Sequence, residues 1–139
     1  MTENKYAILK REDVNIDTVL EIFNNAGIVA EKNGETIIFS MNEARGTIYL
    51  GKDILMIFVL YKIKKDISKE TLKERLTEMN SFATFFNAEI TKSEENLSVS
   101  MSYITFSGIF IPHLMVTVQT FFAAQKRYIE RLKISEFLE

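Results

Sequence analysis

A chain of 139 residues with a net charge of −2 has the length of one domain, and it can bury roughly 65–70% of the surface its unfolded form exposes. Hydrophobic residues at 47% exclude a disordered or low-complexity scaffold, and the mixed signs of its charges leave no global field to gather nucleic acid. With no Cys, one His, one Pro and no Trp, disulfides, thiolate metal centres and thiol nucleophiles are excluded, and few groups remain for chemistry.

The opening MTENKYAILKRED carries no apolar stretch of leader length before charge resumes at Lys10, Arg11 and Glu12, so a cytoplasmic protein is expected. Residues 15–26 read as an amphipathic helix, with Ile16, Val19, Leu20 and Phe23 on one face, Asn15 or Asp17 as cap and Gly27 as its terminator. Residues 28–32 and 35–41 flank Asn33-Gly34, which predicts a hairpin with a type I′ turn on that dipeptide. Residues 46–50 and 53–63 follow as strands joined across Gly51-Lys52. The second is apolar from Ile54 through Tyr61 and reads as a central strand covered on much of both faces.

Ser68 opens a second helix, with Ile67 placed to pack on Leu72 and a narrow stripe of Leu72, Leu76 and Met79. A long hairpin is predicted from residues 82–91 and 96–105 through the polar loop at 92–95. Pro112 suits position N1 of a last helix, whose spacing of Met115, Val118, Phe122, Gln125, Ile129 and Leu132 extends toward Phe137 and Leu138. No formally charged residue lies between Asn96 and Gln125, long enough for a membrane helix of about 20 residues. Alternation of Ser98, Ser100 and Ser102 with Leu97, Val99 and Met101, then Gly108 and Pro112, reads instead as a strand followed by a core helix, with no membrane span.

No catalytic constellation emerges. His113 has no nucleophile or carboxylate in a recognisable pattern beside it. Glu70, Glu74 and Glu78 share a helix face interleaved with Lys69, Lys73 and Arg75, which reads as a solvated surface rather than a metal site. Lys62, Lys64 and Lys65, and later Lys126, Arg127, Arg131 and Lys133, lack the aromatic interleaving of a nucleic-acid surface. No phosphate-cradling glycine motif occurs, so no cofactor or metal is expected. The telling excess is eleven Phe. Phe82, Phe85 and Phe86 are expected on both faces of one strand, and Phe121 and Phe122 about 100° apart on the last helix, so these five are the candidate partner or dimer surface.

The run ILMIFVLYKIKKDISKETLKERLTEMNSFATFFNAEITKSEENLSVSMSYITFSG resembles the YbjN-type family of bacterial sensory transduction regulators. Its apolar strand ending in Lys, helix-end Asn80 followed by Phe82, and alternating Leu97, Val99 and Met101 carry the resemblance. That likeness implies the α+β fold of type III secretion chaperones over residues 1–139, as a single domain in which two subunits commonly pair. The expected architecture is one helix, four strands, a helix, two strands and a helix, with an antiparallel sheet of five or six strands. The function expected is a non-enzymatic protein-binding module, a regulator or chaperone-like adaptor that forms a homodimer and takes an unknown protein partner. The alternatives are an immunity or antitoxin protein, or a small-ligand protein or enzyme with a pocket between sheet and helix, using Tyr49, Tyr61, Tyr103 or His113.

Overall fold

The computed structural model describes residues 8–139. Residues 1–7, the start of the segment read for a leader, lie outside the described residues. The first helix, α1 (Ile16–Asn25), begins where the sequence places it. The Asn15 side chain accepts from the Thr18 backbone N–H while the Thr18 hydroxyl accepts from the Asn15 N–H, both at 3.0 Å, so two orphan donors are satisfied reciprocally. At its end Gly27 N–H donates to Asn24 and Ile28 N–H to Phe23, each at 3.1 Å, the paired bonds of a Schellman cap.

Ile28 is committed to the helix end, so strand β2 (Ala30–Asn33) starts later than residue 28 and pairs with β3 (Thr36–Met41) with the small Ala30 opposite Phe39. Asn33 is thereby paired with Thr36, and the two-residue loop is Gly34-Glu35 rather than Asn33-Gly34. Only Gly34 of the expected dipeptide has positive φ, at 64°. The left-handed pair characteristic of a type I′ turn sits one hairpin later, at Asn42 and Glu43 (φ 51° and 65°), between β3 and β4 (Ala44–Gly51).

Strand β5 (Ile54–Lys62) follows, then α2 (Lys69–Phe82), β6 (Phe86–Ile90), β7 (Asn96–Ile104), β8 (Ile109–Phe110) and α3 (Ile111–Arg131). The main sheet is antiparallel and six-stranded, in the order β2-β3-β4-β5-β7-β6. β8 forms a separate two-stranded ribbon with β1 (Ile8–Leu9), a pairing too short to read from periodicity. Among the described residues, the α+β architecture has three helices, as expected.

Burial alternates along every long strand, because successive side chains leave opposite faces. Ile37, Phe39, Ile48, Leu55, Ile57, Val59, Leu97, Val99 and Met101 are buried with the helices on one face. On the other, Met56 and Phe58 are half-buried and Leu60 is exposed. β5 is central, as its apolar run predicts, yet its second face is open rather than covered.

Six of the eleven Phe (Phe23, Phe39, Phe86, Phe121, Phe122 and Phe137) are buried, while Phe82, Phe85, Phe106 and Phe110 are exposed. Phe82 closes α2 instead of starting a strand, Phe85 lies in the connection, and Phe86 alone belongs to β6. Phe121 and Phe122 are both buried because α3 crosses the middle of the sheet and its two rings serve opposite halves of one core. Phe122 packs on Phe39, which meets Phe23 of α1, with centroids 5.4 and 5.0 Å apart, while Phe121 packs edge-on against Phe86 at 5.7 Å. Pro112 is the second residue of α3. The helix stops at Arg131 instead of continuing, since Lys133 turns left-handed (φ 57°) and buries Ile134 and Phe137 in a short 3-10 turn. The chain then returns to the end of β5, where Ile63 bridges Leu138.

Candidate functional site

The two outer strands of the sheet are protected differently. β2 exposes Glu31, Lys32 and Asn33, charged and polar residues that discourage edge pairing. β6 is blocked by a side chain: Asn80 near the end of α2 donates from Nδ2 to the Ala88 carbonyl and accepts at Oδ1 from the Ala88 N–H, both at 2.8 Å. Its amide takes the place of a neighbouring strand at the middle of that edge. The helix-end Asn noted in the sequence is therefore an edge cap.

β7 is longer than its neighbour. It pairs with β5 from Asn96 to Ile104 but with β6 only from Leu97 to Met101. Thr105 N–H donates to Asp53 and Asn96 accepts from Thr91, each at 2.9 Å, which assigns odd-numbered backbone groups to the β5 side and even-numbered ones to the β6 side. With Phe86 opposite Met101, Ser102 faces Phe85, and Ile104 aims its N–H and C=O past the end of β6, where no strand lies among the described residues.

Apolar surface surrounds those groups. A groove of about 540 Å³ is lined by Phe85, Tyr103, Ile104, His113 and Val116. Ile104 is 72% exposed, Val116 59% and Phe85 40%. Ile104 also belongs to the open sheet face through its pairing with Ile54, so groove and face are continuous. Below the groove the Tyr103 hydroxyl lies 3.2 Å from His113 Nδ1. Burial raises the Tyr103 phenol pKa, and a backbone hydrogen bond with Phe110 offsets part of that. Ser102 leaves the opposite side of the strand from Tyr103, so the serine and histidine of this groove do not form a nucleophile–base pair.

Of the five Phe singled out in the sequence, the structure places Phe86, Phe121 and Phe122 in the core and leaves Phe82 and Phe85 at the surface, with Phe85 lining the groove. Phe82 stacks parallel to Tyr128 with centroids 6.5 Å apart. The residues missed were Ile104 and Val116. Ile104 ends an alternating strand and Val116 lies off the core stripe of α3, but neither signals by itself that the neighbouring strand stops short. Glu70, Glu74 and Glu78 are all exposed, and no three acidic or His side chains converge on a metal position among the described residues. No helix among the described residues is long and apolar enough to cross a membrane.

An antiparallel sheet of this strand order carrying its helices on one face is the YbjN-type, secretion-chaperone-like α+β fold. YbjN from E. coli, a candidate transcription regulator, superposes with a TM-score of 0.77 over 94% of this chain and 98% of its own, at 12% identity. An uncharacterized protein from Methanothermobacter thermautotrophicus matches at 0.60 over 86% of this chain and 96% of its own, at 11% identity. A chain of the HopA1-SchA chaperone-effector complex matches at 0.59 over 82% of this chain and 92% of its own, at 13% identity. The sequence matches no protein-family model and no curated protein. Identities this low establish a shared fold.

Proposed function

We propose that the chain is a non-enzymatic protein-binding module, an adaptor or regulator that receives an extended segment of a partner polypeptide along the outer end of β7. The carrying observation is the Ile104 backbone, which has no strand on its β6 side among the described residues, beside an apolar groove. Main-chain hydrogen bonds there would supply affinity, and the pocket between Phe85, Ile104 and Val116 would select an apolar side chain. A chain of the same fold in a chaperone-effector complex supports this reading.

Ile104→Pro is the sharpest test, because it deletes an outward N–H without removing a bond to β5. Capture from native cells, with the wild type and with Ile104→Pro as bait, is expected to recover a stoichiometric protein partner only with the wild type. Equal recovery by Ile104→Pro and Val116→Lys would overturn the assignment of this edge. The homodimer expected from the sequence is proposed through the same surface, with Phe82 and Phe85 as its remaining aromatic contributors. Sedimentation at several micromolar concentrations checks it: a monomer throughout, unchanged by Phe85→Ser, removes the dimer.

A further inference from the structure

The face of the main sheet turned away from the helices is open among the described residues, and its relief is uneven. Along its middle β5 raises a ridge of Ile54, Met56, Phe58 and Leu60, and beside it β7 lays a trough of Ser98, Ser100 and Ser102. The register sets Leu60 against Ser98, Phe58 against Ser100 and Met56 against Ser102, so each of these large side chains has a small one at its flank.

Opposite charges flank this strip symmetrically. Pairing of Gly46 with Val59 places Arg45 beside Leu60, and Glu89 pairs with Ser98, so Arg45, Leu60, Ser98 and Glu89 lie in one row across β4, β5, β7 and β6. Both charged side chains are exposed, and neither is in an ion pair among the described residues. Three strand spacings, about 14 Å, separate them, too far to meet within one chain. The exposed rings of Tyr49 and Phe85 stand in the same relation at the two ends of the row through Met56 and Ser102.

We propose that a second copy of the chain covers this face, related by a two-fold axis that runs along the strands between β5 and β7. Such an axis preserves position along the strands while exchanging β5 with β7 and β4 with β6. The ridge of each copy then enters the trough of the other, each Arg45 meets Glu89 of the second copy, and each Tyr49 meets Phe85. Sheets packed face to face lie about 10 Å apart, a gap that arginine and glutamate side chains together span. An axis over β5 would instead set ridge on ridge and leave Arg45 opposite Ser98. Size and charge are thus complementary only after this exchange, so the face fits itself, and a second copy is favoured over an unrelated partner. The proposal rests on the homodimer reading above and carries its interface from the β7 edge onto the face that Ile104 joins to it.

The test is sedimentation of the full chain over a range of concentrations, with circular dichroism checking that each variant folds. Arg45→Glu and Glu89→Arg each set like charges together at both contacts and are expected to weaken the dimer about tenfold or more, as is Phe58→Glu, which buries a charge in the trough. At a concentration where each charge variant alone is monomeric, their equimolar mixture is expected to dimerise, because both contacts then join opposite charges. The chain carrying both substitutions is expected to dimerise for the same reason. A wild-type dimer that both charge variants leave intact, or a mixture that sediments no faster than its components, overturns this placement of the second copy and leaves the homodimer standing. A wild type that is monomeric throughout overturns both. Should either charge variant fail to fold, a dimer undiminished by Phe58→Glu overturns the placement instead.

Discussion

Adding one methyl group to Gly46 probes the centre of the core. A Cβ built there would lie 2.5 Å from Phe39 Cζ and 2.9 Å from Phe122 Cζ, whereas ordinary carbon contacts are about 3.5–4.0 Å. The Phe39 ring must therefore retreat by about 1 Å, yet it is wedged between Phe23 and Phe122 and is 1% exposed. Forcing a methylene-sized group into such packing costs about 1–3 kcal/mol. With a urea dependence of about 2 kcal/mol/M for a domain this size, Gly46→Ala is expected to lower the unfolding midpoint by about 1 M with an unchanged slope. A double-mutant cycle isolates the cause. Phe39→Leu alone should destabilise by about 1–2 kcal/mol, but combined with Gly46→Ala it opens room for the methyl, so the double variant should be more stable than the sum by about 1 kcal/mol. Strict additivity, or a Gly46→Ala midpoint equal to wild type, would show that the rings yield freely and would refute the packing argument.

Asn80→Ala removes both bonds to Ala88 and is expected to cost about 2 kcal/mol in urea unfolding, with amide exchange at Ala88 accelerated beyond that of the rest of β6. Burial raises the Tyr61 phenol to about 12. A raised folded-state value means stability is full below the unfolded tyrosine value of about 10 and declines as pH rises from there through 12, so Tyr61→Phe should flatten that alkaline decline in midpoint-versus-pH curves. The Arg11 guanidinium grips both Asp53 oxygens at 2.8 Å and lies over the Phe106 ring, holding the Asp53 carboxyl below its ordinary value. Stability from this group is present above the unfolded aspartate value and lost as pH falls through the lowered one, so Asp53→Asn is expected to flatten the acid limb of the same curves.

Much of the fold was legible because its signals are local. Asn15 and Ser68 mark helix starts through bonds to residues three positions away, Gly27 ends α1, and the apolar run from Ile54 identifies the strand that pairs on both sides. The YbjN-like resemblance pointed to the same architecture. The β2–β3 turn lies one residue later than the Asn33-Gly34 dipeptide suggests because the register is set by pairing along the whole length of the two strands, with Ala30 opposite Phe39, which a dipeptide does not reveal. Phe82 reads as strand in the sequence because helix and strand preferences of an aromatic at a junction are similar, yet α2 runs through it.

What the sequence determined by itself was the order and type of the three helices and of the six main-sheet strands, because caps, turns and hydrophobic periods act within one turn of helix or one pair of strands. Which aromatics are surface and which are core was decided only by tertiary structure. Phe121 and Phe122 diverge on their helix in either case, and both are buried because α3 lies across a sheet whose two halves supply Phe86 and Phe39. The outer end of β7 and the buried amide of Gln125 have the same origin. One exists because β6 stops opposite Met101, the other because Tyr61, distant in the chain, brings a hydroxyl for one half of an amide and nothing among the described residues for the other. An unsatisfied backbone or side-chain group is defined by what fails to arrive beside it, and that depends on contacts between residues far apart in sequence.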